Sequence, residues 1–255
     1  MTLHCEVSGS GPDLVLLHGW GADVGIWSEL VGELSPRFRL HAVDLPGYGA
    51  SPTCNPYTLG GIAAALAEEM PRPCLVCGWS LGGQVALEWA GAAPKQVARI
   101  ALIATTPSFV QRDDWPHAVP AAVLNGFSGE LTADCAGAMK RFFSLQALGD
   151  EQAKRVATRL RHALFTRGTP DAGVLGQGLK ILLETDLRER LAAIAQPALV
   201  VHGERDTLVP VAAGEYLSNA LPKARLVTLR GAAHAPFVAN AGTVCALLED
   251  FLKES

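Results

Sequence analysis

The stretch Pro73-Cys74-Leu75-Val76-Cys77-Gly78-Trp79-Ser80-Leu81-Gly82-Gly83-Gln84-Val85-Ala86-Leu87-Glu88-Trp89-Ala90 decides how this chain is read. Its first five residues are apolar and opened by proline, which predicts a short buried strand. From Gly83 to Ala90 the spacing is helical, with Leu81, Val85 and Trp89 on one face. A serine between a strand and a helix sits on a sharp turn with strained backbone dihedrals. Gly78 and Gly82 flank it because a side chain at either place would collide with the neighbouring strand or helix. The turn lifts the Ser80 hydroxyl above the sheet edge and aims backbone N–H groups of the helix N-terminus towards it.

The flanking sequence alternates strand and helix. Leu14-Val15-Leu16-Leu17 is a continuous apolar strand ending in His18-Gly19-Trp20-Gly21. Ile26 to Leu34 reads as a helix stopped by Ser35-Pro36. Phe38 to Val43 is a strand closed by the loop Asp44-Leu45-Pro46-Gly47-Tyr48-Gly49. Thr58 to Glu69 is helical, and Val97 to Ala104 is a further buried strand. From about Pro107 to Arg190 the alternation gives way to helical sequence. It returns with the strand Ala198 to His202, the helix Val211 to Ala220, the strand Ala224 to Leu229 and a last helix to Leu252. Apolar strands separated by helices predict an α/β fold, with a mostly parallel central sheet and helices on both faces. The expected organisation is one domain over residues 1–255, with a core of about 1–106 and 191–255 and a helical lid of about 107–190.

A length of 255 residues suits one large domain, and 49% hydrophobic against 18% charged residues permits a sizeable core. A net charge of −4 and a pI near 6.0 argue against a nucleic-acid partner. The N-terminus has no basic region followed by a long apolar stretch, so no signal peptide is expected. No apolar run approaches the roughly 20 residues that a membrane helix needs. The expectation is a cytoplasmic monomer with no membrane partner. Six cysteines (Cys5, Cys54, Cys74, Cys77, Cys135 and Cys245) are scattered without a framework, as in a reducing compartment. Cys74 and Cys77 have the spacing of half a zinc site. On a strand, residues three apart point to opposite faces, so they are read as buried and inert, with no metal.

A serine hydroxyl needs a base, and the base needs a carboxylate to hold it. The histidines available are His4, His18, His41, His117, His162, His202 and His234. His234 lies in Gly231-Ala232-Ala233-His234-Ala235-Pro236-Phe237, just beyond the last predicted strand, at the sheet edge where open α/β sheets place ligands. Chain order Ser…Asp…His then requires an acid after the penultimate strand. Gly203-Glu204-Arg205-Asp206 offers two, and Asp206 is preferred because the loop carries it clear of the strand, whereas Glu204 reads as a solvated charge. Asp44 is the outside rival, in a loop whose glycines and proline point to turn support. Two backbone donors are expected for the oxyanion, the Leu81 N–H and the Trp20 N–H. His18 reads as a buried histidine that pins its loop.

These residues resemble the α/β-hydrolase superfamily over essentially the whole chain. More narrowly the chain resembles the pimeloyl-[acyl-carrier protein] methyl ester esterases of biotin synthesis. The resemblance rests on Leu-Leu-His-Gly-Trp-Gly (16–21), Val-Asp-Leu-Pro-Gly-Tyr-Gly (43–49) and Gly-Trp-Ser-Leu-Gly-Gly (78–83). It continues through Arg141-Phe142-Phe143-Ser144-Leu145-Gln146-Ala147-Leu148-Gly149 in the lid and Ala232 to Phe237 near the end. The resemblance implies a triad of Ser80, Asp206 and His234 and substrate contacts at Trp20, Ser80, Leu81, Phe142, Phe143, Ser144, Leu145, Gln146 and His234. It implies hydrolysis of a methyl ester carried by acyl-carrier protein, with no metal or organic cofactor.

The lid is also basic. Residues 138–167 hold Lys140, Arg141, Lys154, Arg155, Arg159, Arg161 and Arg167 against Asp150 and Glu151, an excess of five positive charges in a chain of net charge −4. Acyl-carrier proteins are strongly acidic, so Lys140, Arg141, Lys154, Arg155 and Arg159 are expected to dock one transiently. The alternatives are another small-molecule serine hydrolase (a short-chain esterase, lactonase or carbon–carbon bond hydrolase) and a ligand-binding protein on the same frame. Dehalogenases and epoxide hydrolases are disfavoured because their turn carries aspartate where this one carries Ser80.

Overall fold

The apolar runs read from the sequence become the middle of a seven-stranded sheet. The computed structural model describes residues 2–166 and 171–253. Its strands are β1 (Cys5–Ser8), β2 (Asp13–Leu17), β3 (Arg39–Val43), β4 (Cys74–Trp79), β5 (Val97–Ile103), β6 (Ala198–Gly203) and β7 (Ala224–Leu229). They lie in the order β1-β3-β2-β4-β5-β6-β7, with β1 antiparallel to β3 and every other pair parallel. Every residue of β4 and β6 is buried, which explains why their sequences show no alternation of apolar and polar positions.

The strand order dictates where the helices go. The helices of the sheet are α1 (Ser28–Leu34), α2 (Leu59–Glu69) and α3 (Leu81–Ala92), and later in the chain come α8 (Val211–Ala220), α9 (Pro236–Ala239) and α10 (Ala241–Lys253). The chain steps from β2 outward to β3, then returns past β2 to β4 and moves the other way. Right-handed crossovers therefore put α1 on one face and α2, α3 and α8 on the other. Accordingly α1 packs on α10, and α2 packs on α3. The reversal between β2 and β4 opens a crevice at the C-terminal ends of the central strands, the place where such sheets hold their ligands.

Two expectations need correction. The run Ile26 to Leu34 is not one helix: Val24–Trp27 forms a 3₁₀ turn and α1 begins at Ser28. The Asp23 carboxylate accepts the Gly25 N–H at 2.7 Å and starts that tighter turn, whose Val24, Ile26 and Trp27 are all buried. The edge strand β1 was not anticipated. It has only four residues, and its pairing with β3 (Cys5 opposite Val43) depends on chain 38 positions away. Cys74 and Cys77 are both buried free thiols, and burial pushes the Cys74 thiol up to about 12 and the Cys77 thiol upward as well.

Between β5 and β6 the chain forms α4 (Ala121–Ala133), α5 (Cys135–Gln146), α6 (Ala153–Thr166) and α7 (Ala172–Glu184). Among the described residues no helix is long and apolar enough to cross a membrane. On α5, Met139, Phe142, Phe143 and Gln146 recur at helical spacing and are buried. Phe142 meets the Trp20 ring edge-on at 4.6 Å and Phe127 of α4 at 5.4 Å. The Trp20 indole N–H also donates to the Leu175 carbonyl of α7 at 2.9 Å. These contacts lay α5 and α7 against the loop that follows β2.

The sharpest constraint lies at the end of β4. Ser80 has φ +55° and ψ −118°, a conformation that costs a side-chain-bearing residue on the order of 1–3 kcal/mol. The turn stays closed because β4, α3 and the end of β2 approach without side chains between them. A Cβ on Gly78 would overlap the Gly82 carbonyl oxygen, and one on Gly82 would overlap the Leu17 carbonyl oxygen. Backbone cannot yield as a flexible side chain does. Gly78→Ala should therefore cost at least about 3 kcal/mol, read as a lowered unfolding temperature. Gly126→Ala, in the interior of α4 with nothing within 4 Å of its new methyl, should instead raise stability by about 0.5–1 kcal/mol.

Candidate active site

Three chain segments converge beyond the C-terminal ends of β4, β6 and β7. Ser80 is delivered by the strained turn, whose N–H is anchored to the Ile103 carbonyl at 3.0 Å and whose C=O accepts the Thr105 hydroxyl at 2.6 Å. Asp206 follows β6, and His234 follows β7. The His234 Nε2 lies 3.0 Å from the Ser80 Oγ, and its Nδ1 lies 2.8 Å from the Asp206 Oδ2. The three residues expected to meet do meet, over sequence separations of 154 and 28 positions. All three are buried, with exposures of 5%, 6% and 1% for Ser80, Asp206 and His234.

The hydrogen bonds around these three residues fix their polarity. The other oxygen of Asp206 accepts the N–H groups of Leu208 and Val209 at 2.9 and 2.8 Å, so the carboxylate cannot swing away from His234. The Trp79 indole N–H donates to the His234 carbonyl at 2.8 Å, tying the base's loop to the end of β4. An Nδ1–H donated to Asp206 leaves Nε2 as the acceptor facing the Ser80 hydroxyl. Leu81 is the first residue of α3, so its N–H has no acceptor within the helix and points with the positive end of the helix dipole. Trp20 lies in the loop after β2, against α5 and α7.

The remaining titratable residues sort cleanly. His18 is fully buried and pins its loop twice: its Nδ1 donates to the Gly19 carbonyl at 2.8 Å, and its Nε2 accepts the Leu45 N–H at 3.0 Å. Asp44 is a turn support, its carboxylate accepting the Val24 and Ala50 N–H groups at 2.8 and 2.9 Å and pairing with His4 at 2.8 Å. His41 pairs with Asp13, His117 meets the Trp115 ring edge-on, and His162 is an exposed residue of α6. Glu204 is exposed but is not merely solvated, because it accepts the Gly231 N–H at 3.0 Å. Among the described residues no group of three or more His, Cys, Asp or Glu could hold a metal ion.

The expected substrate contacts divide by helix face. Phe142, Phe143 and Gln146 point inward, with Phe143 and Met139 packed on Gly21. Ser144 and Leu145 lie more than about 100° around the helix from the middle of that face and are exposed, lining an outer groove with Phe127, Glu130, Lys140 and Arg141. In this conformation those two do not share the buried face of Phe142. The basic residues are also less free than their count implied. Arg141 pairs with Glu130 at 2.7 Å, and Arg155 and Arg159 reach Glu29 of α1 at 3.7 and 3.4 Å. Arg167 lies outside the described residues.

Sequence reasoning missed three contributors. His202 is fully buried on the far side of Asp206, its Nε2 donating to the Val209 carbonyl at 2.8 Å and lying 3.6 Å from the Asp206 carboxylate. Its candidacy as a base could have been recast from its i, i+4 spacing to the acid. The Gln146 carbonyl and the Asp150 carboxylate both accept N–H groups of the base's loop. No sequence signal marks either contact.

A serine, imidazole and carboxylate in this geometry, on this sheet, define a serine hydrolase frame. Residues 14–247 match the alpha/beta hydrolase family, and the chain belongs to that family. Within it the chain is 43% identical over 237 residues to a pimeloyl-[acyl-carrier protein] methyl ester esterase of Nitrosomonas europaea, covering 93% of this chain and 94% of that one. It is 40% identical to the enzyme of the same name from Aeromonas hydrophila, covering 99% of this chain and all of that one. Among solved structures, an esterase from Exiguobacterium antarcticum superposes with a TM-score of 0.89 at 22% identity, covering 99% and 96% of the two chains. An enol-lactonase from Burkholderia xenovorans gives 0.86 at 24%, again covering 99% and 96%. Likeness at that identity speaks for the shared fold alone.

The buried histidines make stability sensitive to acid. Burial lowers the pKa of both His18 and His202, opposed by Asp44 and Asp206 respectively. Both therefore take up a proton less readily in the folded protein than in the unfolded chain, which protonates below about pH 6.5. Their contribution is whole above that pH and is lost as the pH falls below it, by up to about 1.4 kcal/mol per pH unit for each. The urea midpoint should therefore fall between pH 7 and pH 5, and less steeply in His202→Gln; equal slopes in the two proteins would exclude a role for His202.

Proposed function

We propose that this protein is a serine carboxylesterase that hydrolyses the methyl ester of a pimeloyl chain held on acyl-carrier protein, in biotin synthesis. The observation that carries the chemistry is the chain of hydrogen bonds from Ser80 through His234 to Asp206. The substrate follows from relatives 40–43% identical over nearly the whole chain, each named for that activity.

In this reading His234 Nε2 takes the Ser80 proton as Oγ attacks the ester carbonyl. Asp206 holds the Nδ1–H and stabilises the imidazolium that forms. The carbonyl oxygen becomes an oxyanion held by the N–H groups of Leu81 and Trp20, each donor worth roughly 3–4 kcal/mol in the transition state. The tetrahedral species collapses by breaking the bond to methoxide, which leaves as methanol with the proton from His234. Water then enters, gives a proton to His234 and attacks the acyl-enzyme. Collapse of the second tetrahedral species frees the acid and returns the proton to Ser80. The reaction uses these side chains and water.

Residues 107–190 act as the lid, with Phe142 and Phe143 lining the acyl-chain passage beside Trp20. Contact between Phe142 and Trp20 supports this, since it puts α5 directly over an oxyanion donor. The lid's basic side docks acyl-carrier protein transiently. The protein works as a monomer in the cytoplasm, a compartment consistent with its free cysteines.

Ser80→Ala should fold normally and lower kcat roughly 10⁴–10⁶-fold on the carrier-bound methyl ester, read as methanol release. An active purified variant would remove the serine mechanism. Charge reversal at Arg155 or Arg159 would also set an acid against Glu29, so Lys154→Glu is the cleaner docking test. It should raise KM for the carrier-bound ester roughly threefold to tenfold and leave a free methyl ester unaffected. Equal changes for both esters would dispose of docking on this face.

A further inference from the structure

The turn between α5 and α6 does more than connect two helices of the insertion. The Gln146 carbonyl, at the end of α5, accepts the His234 N–H at 3.2 Å. The Glu151 N–H donates to the Gly231 carbonyl at 2.9 Å. Between these two contacts lies Asp150, 7% exposed. One of its oxygens accepts the Gln152 N–H at 2.7 Å, an ordinary turn bond that starts α6. The other crosses to the base's loop and accepts the Ala233 N–H at 2.9 Å. The same turn reaches the acid's loop, where the Arg205 guanidinium meets the Gly149 carbonyl at 3.4 Å and the Glu151 carboxylate at 3.1 Å.

Ala233 is buried and immediately precedes His234, and its N–H has to find an acceptor away from water. The acceptor it meets is a carboxylate, the stronger kind. The position of the imidazole depends on where residues 231–234 run, because its ring bonds to Ser80 and Asp206 tolerate little displacement. A shift of about 1 Å in such a bond can cost roughly a hundredfold in rate. A carboxylate needed only to begin α6 would be satisfied by the Gln152 N–H and would have no reason to be buried against the base's loop.

We propose that Asp150 is a positioning residue for His234, joining the insertion to the base, and that the α5–α6 turn is the fixed end of the insertion. Opening of the lid then occurs by movement of its other helices, since displacing this turn would carry His234 away from Ser80. The proposal rests on the serine-hydrolase reading above but not on the identity of the acyl chain or on carrier docking.

The test uses p-nitrophenyl acetate, which needs neither a carrier protein nor a long acyl pocket. Asp150→Ala should lower kcat at least tenfold and change KM less than threefold in protein shown to be folded by its melting curve. The downfield proton signal of the His234 Nδ1–H, which reports its bond to Asp206, should shift or broaden in the same sample. Asp150→Asn keeps the volume but leaves one acceptor oxygen for the Gln152 and Ala233 N–H groups, so the clamp on the His234 loop weakens and the same split should appear if the alanine variant does not fold. A folded variant with kcat within twofold of the parent and an unmoved Nδ1–H signal would overturn the proposal. Failure of both variants to fold would also overturn it, assigning Asp150 to stability alone. Ser80→Ala turning over the same ester would instead remove the serine reading itself, a separate outcome.

Discussion

Two backbone approaches too close for any side chain, at Gly78 and Gly82, hold Ser80 in a conformation it would not otherwise adopt. The strain is local, but its support is spread across the sheet: β4 lies in the middle of the strand order, and the turn after it is braced by Leu17 at the end of β2, by Ile103 at the end of β5 and by Thr105 just beyond it. The hydroxyl therefore stands at a fixed height above the strand ends, where the loops after β2, β6 and β7 converge. A nucleophile on a flexible loop would leave the base to find it. Here the base and acid have only to be brought to a point already set.

That second task falls to hydrogen bonds rather than apolar packing. Asp206 is held by two N–H groups of its own loop, and His234 is held through its backbone by Trp79, Gln146 and the Asp150–Ala233 bond. The helical insertion thus meets the reaction centre in two ways. Phe142 covers Trp20 from above, and the α5–α6 turn grips the base's loop from the side.

Much of this was legible from residues alone, for identifiable reasons. Strands buried on both faces leave continuous apolar runs, so β2, β4 and β6 announce themselves, and the glycines around Ser80 have no other common explanation. Chain order then assigns Asp206 and His234 without any knowledge of distance. What escaped the reading depends on partners far along the chain. The strand β1 is four residues long and exists through its pairing with β3. Glu29 and Glu130, which pair with basic residues of the helical insertion, lie outside the basic run 138–167. The resemblance implies contacts at Ser144 and Leu145 together with Phe142, and the period of α5, with Met139, Phe142, Phe143 and Gln146 on one side, turns those two outward in this conformation.

The central claim is that the ester carbon is transferred to Ser80 before water receives it. Rapid quenching of the enzyme with pimeloyl-acyl-carrier protein methyl ester, followed by mass analysis of the peptides, tests this directly. The account predicts an acyl group on the peptide containing Ser80, appearing together with methanol and ahead of the free acid. Free acid formed at full rate with no acyl group on Ser80, or with one on a cysteine instead, would contradict it.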